Sequence, residues 1–282
     1  MDYTQTIEAF DAQVEGALNW LRDNAGFVFD TTRAGLDAFY TGVNWLLTAP
    51  SPYLVMAAFA GVGVWLVGLR FGVLAGMGLF FCSVIGLWGE TMSTLALVIA
   101  STALALAIAL PVGVAAGYHP KLDKMAEPLL DTLQTLPPYI YLLPAIALLG
   151  YGPATSLVAT VLVAIAPALR LASLGIRMTP NEYIELGQAN GITPVQMFFK
   201  IRLPFAVPSI MAGINQSLMM AFGMVVIAGI VGSGGLGQTI YEAIRTLNIA
   251  VSIDATIAIV ILTMVLDRLT QSAGTRKTGA KA

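Results

Sequence analysis

Charge is what this sequence has least of. Only 11% of its 282 residues are Asp, Glu, Lys or Arg, while 57% are hydrophobic; a soluble domain carries about 25% charged residues. A water-soluble fold of this size has no way to hide that much apolar surface. There is one cysteine, Cys82, which excludes an internal disulfide and any Cys-based metal cluster. It lies in an apolar run and reads as a packing residue. The one histidine, His119, stands beside Pro120 and Lys121 where an apolar run ends. It reads as an interfacial loop residue, and its isolation removes most His-based catalysis and metal chemistry. A net charge of −2 points to no nucleic acid. No P-loop lysine motif occurs, so ATP hydrolysis is not expected of this chain. The start, Met1-Asp2-Tyr3, lacks the basic region and early apolar core of a signal peptide.

What is present is a series of long uncharged runs. About 20 apolar residues cross the hydrocarbon core as a helix. The runs at 53–69, 71–88, 91–118, 132–169, 203–241 and 250–266 predict seven spans, with 132–169 folded as a hairpin at Gly150-Tyr-Gly-Pro153. Residues 1–52 differ. Ile7, Phe10, Val14, Leu18 and Leu21, then Leu36, Phe39, Tyr40, Val43 and Leu47, recur at helical spacing, predicting two amphipathic helices in an acidic tail. The tail has two arginines, Arg22 and Arg33, against seven acids. It suits either attachment along the membrane surface or packing on its own protein. Residues 53–89 form two accessory spans, 90–270 the core, and 271–282 a basic tail.

Short loops rich in lysine and arginine stay cytoplasmic. Lys121 and Lys124, the group Arg170, Arg177, Lys200 and Arg202, and the tail with Arg268, Arg276, Lys277 and Lys281 fall on one side of a seven-span chain. That places the N-terminus outside and the C-terminus in the cytoplasm, with Arg245 the one exception. Prolines inside the runs, among them Pro111, Pro144, Pro167 and Pro208, suit a transport path, where neighbours or water satisfy the freed backbone groups.

The segment from Glu185 to Pro204 carries the most information. It reads as a helix, a turn at Gly191, and a second helix begun by Thr193-Pro194, an N-cap followed by proline at the first helical position. Such a unit either docks on a partner or is an ordinary amphipathic loop. Gly232-Ser-Gly234-Gly-Leu-Gly237 spells G-x-G-x-x-G, but nucleotide binding needs a preceding strand and an acid about 20 residues on. At the end of a span, close helix packing or an outer loop is the expectation. Asp254 and Asp267 flank the last span; Asp267 is expected to pair with Arg268. Asn215, Gln216, Met219, Met220 and Met224 are candidates for a translocation path, because polarizable sulfur can accept a quaternary ammonium; ordinary span packing is the competing reading.

Glu185, Gly191, Ile201, Leu203 and Pro204 stand at the spacing of the Glu-Ala-Ala loop of ABC importer permeases, which the segment resembles; Leu186 and Gly187 depart from its two alanines. Met211-Ala-Gly-Ile-Asn-Gln-Ser-Leu, Met224-Val-Val-Ile-Ala, Gly234-Gly-Leu-Gly-Gln238 and Leu266-Asp-Arg-Leu-Thr-Gln271 resemble the permease of the glycine betaine/proline betaine importers. The resemblance implies an all-α polytopic protein with a type I importer core, in a bacterial inner membrane. It implies that loop 174–205, with Glu185, Gly191, Ile192, Thr193, Pro194, Ile201, Leu203 and Pro204, couples to an ATPase. It implies as partners a second copy, two ATPase subunits that bind ATP and Mg, and an extracytoplasmic solute-binding protein, with no cofactor in this chain. A permease for another small solute such as an amino acid, an ion-driven secondary transporter and a membrane scaffold are the other readings.

Overall fold

The computed structural model describes residues 3–278, with side chains for 12, 13 and 15–274. Among these there are helices and turns and no strand. Four helices are long and apolar enough to cross a membrane, or six spans if two sharply bent pairs each count once. The four are α4 (Trp88–Tyr118), α7 (Pro153–Arg177), α10 (Leu203–Ala228) and α12 (Ile249–Thr278). α4, α7 and α10 pack along one another at the centre, where Leu95, Ala105, Leu157, Ala164 and Ala221 are fully buried. Small residues let the backbones approach, as expected where lipid removes the hydrophobic drive between helices. A Cβ on Gly113 of α4 would lie 2.6 Å from the Leu169 carbonyl oxygen of α7.

The acidic tail corrects its expectation. It is one helix, α1 (Tyr3–Thr48, 46 residues), where two were expected. The stripe Leu36, Tyr40, Val43 and Leu47 packs into the central core, so this part of α1 belongs to the protein's own packing. Ile7, Phe10 and Val14 lie outside the described side chains.

The seven expected spans also change. α2 (Pro52–Leu66) and α3 (Leu69–Val84) have 15 and 16 residues, about 22–24 Å of helix, less than the ~30 Å hydrocarbon core. They pair through Gly63 and Gly72 and lean on α12. The first arm of the expected hairpin is not straight. α5 (Pro120–Thr135) meets α6 (Tyr139–Leu149) at 97°. Leu136 is extended at the break (φ −70°, ψ 136°), as a residue before proline prefers. α5 is amphipathic and lies against the C-terminal half of α7. There Asp123 pairs with Arg177 (2.6 Å) and accepts from the Ser173 hydroxyl (2.6 Å), and Asp131 pairs with Arg170.

Candidate functional site: a capped helical segment and a polar groove

Between α7 and α10 the chain leaves the bundle as α8 (Asn181–Ala189) and returns through α9 (Pro194–Gln196), a π-helical turn (Met197–Arg202) and then α10 without a break. Gly191 makes the reversal at φ +66°. Thr193 closes a capping box: its hydroxyl accepts from the Gln196 N–H, and the Gln196 side chain accepts from the Thr193 N–H. The expected helix–turn–helix is therefore present, and Thr193 and Pro194 sit at its cap and first position.

Sequence reasoning missed Gly187. It replaces an alanine of the family pattern, yet it is the one buried residue of α8. A Cβ there would lie 2.7–2.9 Å from the side-chain ends of Ile192, Met197 and Ile201. Gly187 lets α8 close onto the returning segment, and larger neighbours fill the space. Ile192 and Ile201 thus lock the two arms together. Glu185, Leu203 and Pro204 do not meet them in one point: Glu185 and Pro204 are exposed and Leu203 is half-buried. Leu186, Val195 and Phe199 are 60%, 65% and 61% exposed, large apolar side chains on a segment outside the bundle. A recess of about 550 Å³ runs behind this segment to Tyr118 at the end of α4, and Arg202 covers the Tyr118 ring at 4.4 Å.

The path candidates divide. Asn215, Gln216 and Met219 line a groove of about 540 Å³ with Pro208, Met211, Thr270 and Gln271, between α10 and α12. Met220 is exposed on the neighbouring face, and Met224 is 1% exposed, packed with Leu142, Ala159 and Val231. Helical geometry separates them, since five positions along the helix turn Met224 inward. Asp267 backs the groove, and here an expectation is corrected. It forms no ion pair with Arg268; consecutive helix positions do not face each other. Its Oδ1 instead accepts from Asn215 Nδ2 (2.9 Å) and Gln271 Nε2 (2.8 Å). Thr270 donates to Asn215 Oδ1 (2.7 Å).

The glycine-rich run is a packing device. It follows a 3₁₀ turn (Gly229–Val231), not a strand, and opens α11 (Gly235–Arg245). A Cβ on Gly237 would lie 2.5 Å from the Val225 carbonyl oxygen of α10. The hydroxyl of Thr94, from α4, accepts from the Leu236 N–H at 2.8 Å, occupying a donor that a nucleotide phosphate would need. Among the described residues no His, Cys, Asp and Glu group could hold a metal.

The family model for the binding-protein-dependent transport system inner membrane component matches residues 107–276, from the second half of α4 into α12, with the capped segment between α7 and α10 inside it. The chain belongs to this family. This inner membrane component is a multi-pass permease subunit of the ABC importer type. It is 36% identical over 272 residues to the glycine betaine/proline betaine transport system permease protein ProW of Escherichia coli (strain K12), covering 96% of this chain and 77% of that one. It is 36% identical to the glycine betaine transport system permease protein OpuAB of Bacillus subtilis (strain 168), covering 94% of each. A solved structure of the inward-facing MetNI methionine ABC transporter superposes on it with a TM-score of 0.57 and 26% identity, over 68% of this chain and 94% of that one.

Proposed function

We propose that this permease forms the translocation path for a compatible solute of the quaternary-amine type, such as glycine betaine, proline betaine, choline or trimethylamine N-oxide. The observation that carries the reading is the reach of the likeness. The family model begins only at residue 107, yet the betaine permeases align over 94–96% of the chain, so the likeness extends to its N-terminal elements as well. The coupling segment supports the architecture. Exposed Leu186, Val195 and Phe199 on a rigid, capped unit suit insertion into a cleft of an ATPase, which would hold ATP and Mg. Glu185 and Gly191 would carry ATP-driven closure to α7 and α10. Two copies of the chain supply the two halves, and a solute-binding protein delivers to the outer side near 232–249. The basic loops support a cytoplasmic side that holds the Arg170–Arg202 loop and the C-terminus. Nucleotide binds the two conformations with different affinity and so drives the exchange between them.

The test is ATP hydrolysis by the chain reconstituted in lipid with its ATPase and binding protein, across a panel of quaternary amines and amino acids. Stimulation by a quaternary amine is expected. Stimulation by methionine or another amino acid alone, the reading favoured by the MetNI likeness, would overturn the solute class and leave the ABC architecture standing.

A further inference from the structure

We propose that the groove between α10 and α12 is a cation-accepting subsite of the path, and that Asp267, set behind its wall, gives it that selectivity. The inference rests on the permease reading and names chemistry that the reading leaves open. Three observations carry it.

First, the groove has the right size. About 540 Å³ lies within the 300–1,000 Å³ typical of small-ligand sites. Second, the carboxylate is half-buried and has no cationic partner among the described residues, whose ion pairs are Arg33–Asp37, Arg170–Asp131 and Arg177–Asp123. Arg268 is exposed on another face of α12. Partial burial without a counter-charge is expensive, so a cation held in the groove would offset that cost. Third, the carboxylate is not itself part of the groove lining. Neutral amides, Asn215 and Gln271, stand between it and the space, both donating to its Oδ1.

This third feature selects the kind of cation. A quaternary ammonium has no N–H to donate, so it forms no hydrogen bond to the bare carboxylate oxygen that a metal ion or a primary amine would seek. It needs a soft surface for its methyl groups and a negative field close by. Met211 and Met219 provide the first, and Asp267 the second. Even at about 10 Å, a unit charge at an effective dielectric near 20 changes occupancy by about tenfold.

The experiment uses the whole complex with ATPase and binding protein in lipid nanodiscs. Cys82, fully buried, is replaced by alanine, and Met219→Cys supplies one thiol in the groove. Its reaction rate is measured with a methanethiosulfonate bearing a trimethylammonium group and with one bearing a sulfonate, each relative to a free thiol in solution. The expected ratio favours the cation by about tenfold, and Asp267→Asn returns it to the free-thiol value. Asp254→Asn, on the same helix, leaves it unchanged. Saturating glycine betaine slows both reactions. A ratio unaltered by Asp267→Asn overturns the role of Asp267. A thiol that reacts equally with and without betaine, in a complex whose hydrolysis betaine still stimulates, overturns the groove as a subsite while the permease reading survives.

Discussion

Asp37 of the N-terminal helix accepts a hydrogen bond from the backbone N–H of Ala154 at 2.9 Å, 117 residues away. Ala154 is the second residue of α7, so an acid of the tail caps a helix of the central bundle. Arg33, one turn earlier, pairs with Asp37 at 3.6 Å and donates to the Tyr151 carbonyl at 3.1 Å. Together they fasten α1 to the turn between α6 and α7.

Removing that cap has a predictable size. Asp37→Ala is expected to cost about 1 kcal/mol, the usual loss for an N-cap, or about 2–4 °C in Tm for a chain this long. Asp37→Asn retains the acceptor and stays near wild type. Thermal unfolding of the purified complex in detergent checks both, and equal losses for Ala and Asn would mean that the charge, not the cap, matters.

Thr94 makes the buried counterpart. It is 1% exposed and Leu236 is fully buried, so Thr94→Val leaves the Leu236 N–H without water or partner. A loss of about 1–3 kcal/mol is expected, larger than for Asp37→Ala. Thr94→Ser keeps the hydroxyl and loses only a methyl group, about 0.8 kcal/mol. Stability measured as for Asp37 separates the two variants.

Gly191 stands in open space with φ +66°, so only backbone strain opposes a side chain there. Gly191→Val is expected to cost about 1–3 kcal/mol locally and to reduce solute-stimulated ATP hydrolysis several-fold, with the ATPase still co-purifying. Gly191→Asn is tolerated far better, since asparagine visits this conformation. Hydrolysis in the reconstituted complex reads the difference; full stimulation in the valine variant would remove the turn from the coupling route.

The link between α5 and α7 is electrostatic and partly solvent-facing, with Asp123 15% and Arg177 44% exposed. A double-mutant cycle with Asp123→Asn and Arg177→Gln is expected to give a coupling of about 0.2–1 kcal/mol. That coupling shrinks as salt rises, because screening acts on exposed pairs. A coupling that persists at high salt would place the pair in a drier setting than its exposure suggests.

Features that depend only on neighbours along the chain were legible from the residues alone. Apolar runs, the Thr193-Pro194 cap, the reversal at Gly191 and the distribution of Lys and Arg are local signals, and the helices α4, α7, α10 and α12 with the capped segment between α7 and α10 follow from them. The Glu185–Pro204 spacing also carried the family. What needed tertiary structure was every choice between equivalent surroundings. Apolar composition cannot say whether a run of 15 or 16 residues spans a membrane or leans on a longer helix, as α2 and α3 do on α12. Helical spacing could propose Asn215, Gln216, Met219 and Met224 together, but only the position of α7 and α12 around α10 put three on a groove and one in the core. Asp267 looked paired with Arg268 because they are adjacent; 52 residues away in sequence, Asn215 is adjacent in space. Gly187 was legible as a departure from a pattern, and its reason lay in Ile192, Met197 and Ile201 closing over it. A linear chain shows its periodicities, while contact between distant helices is decided by packing, because each helix finds its partner faces only when the others are in place.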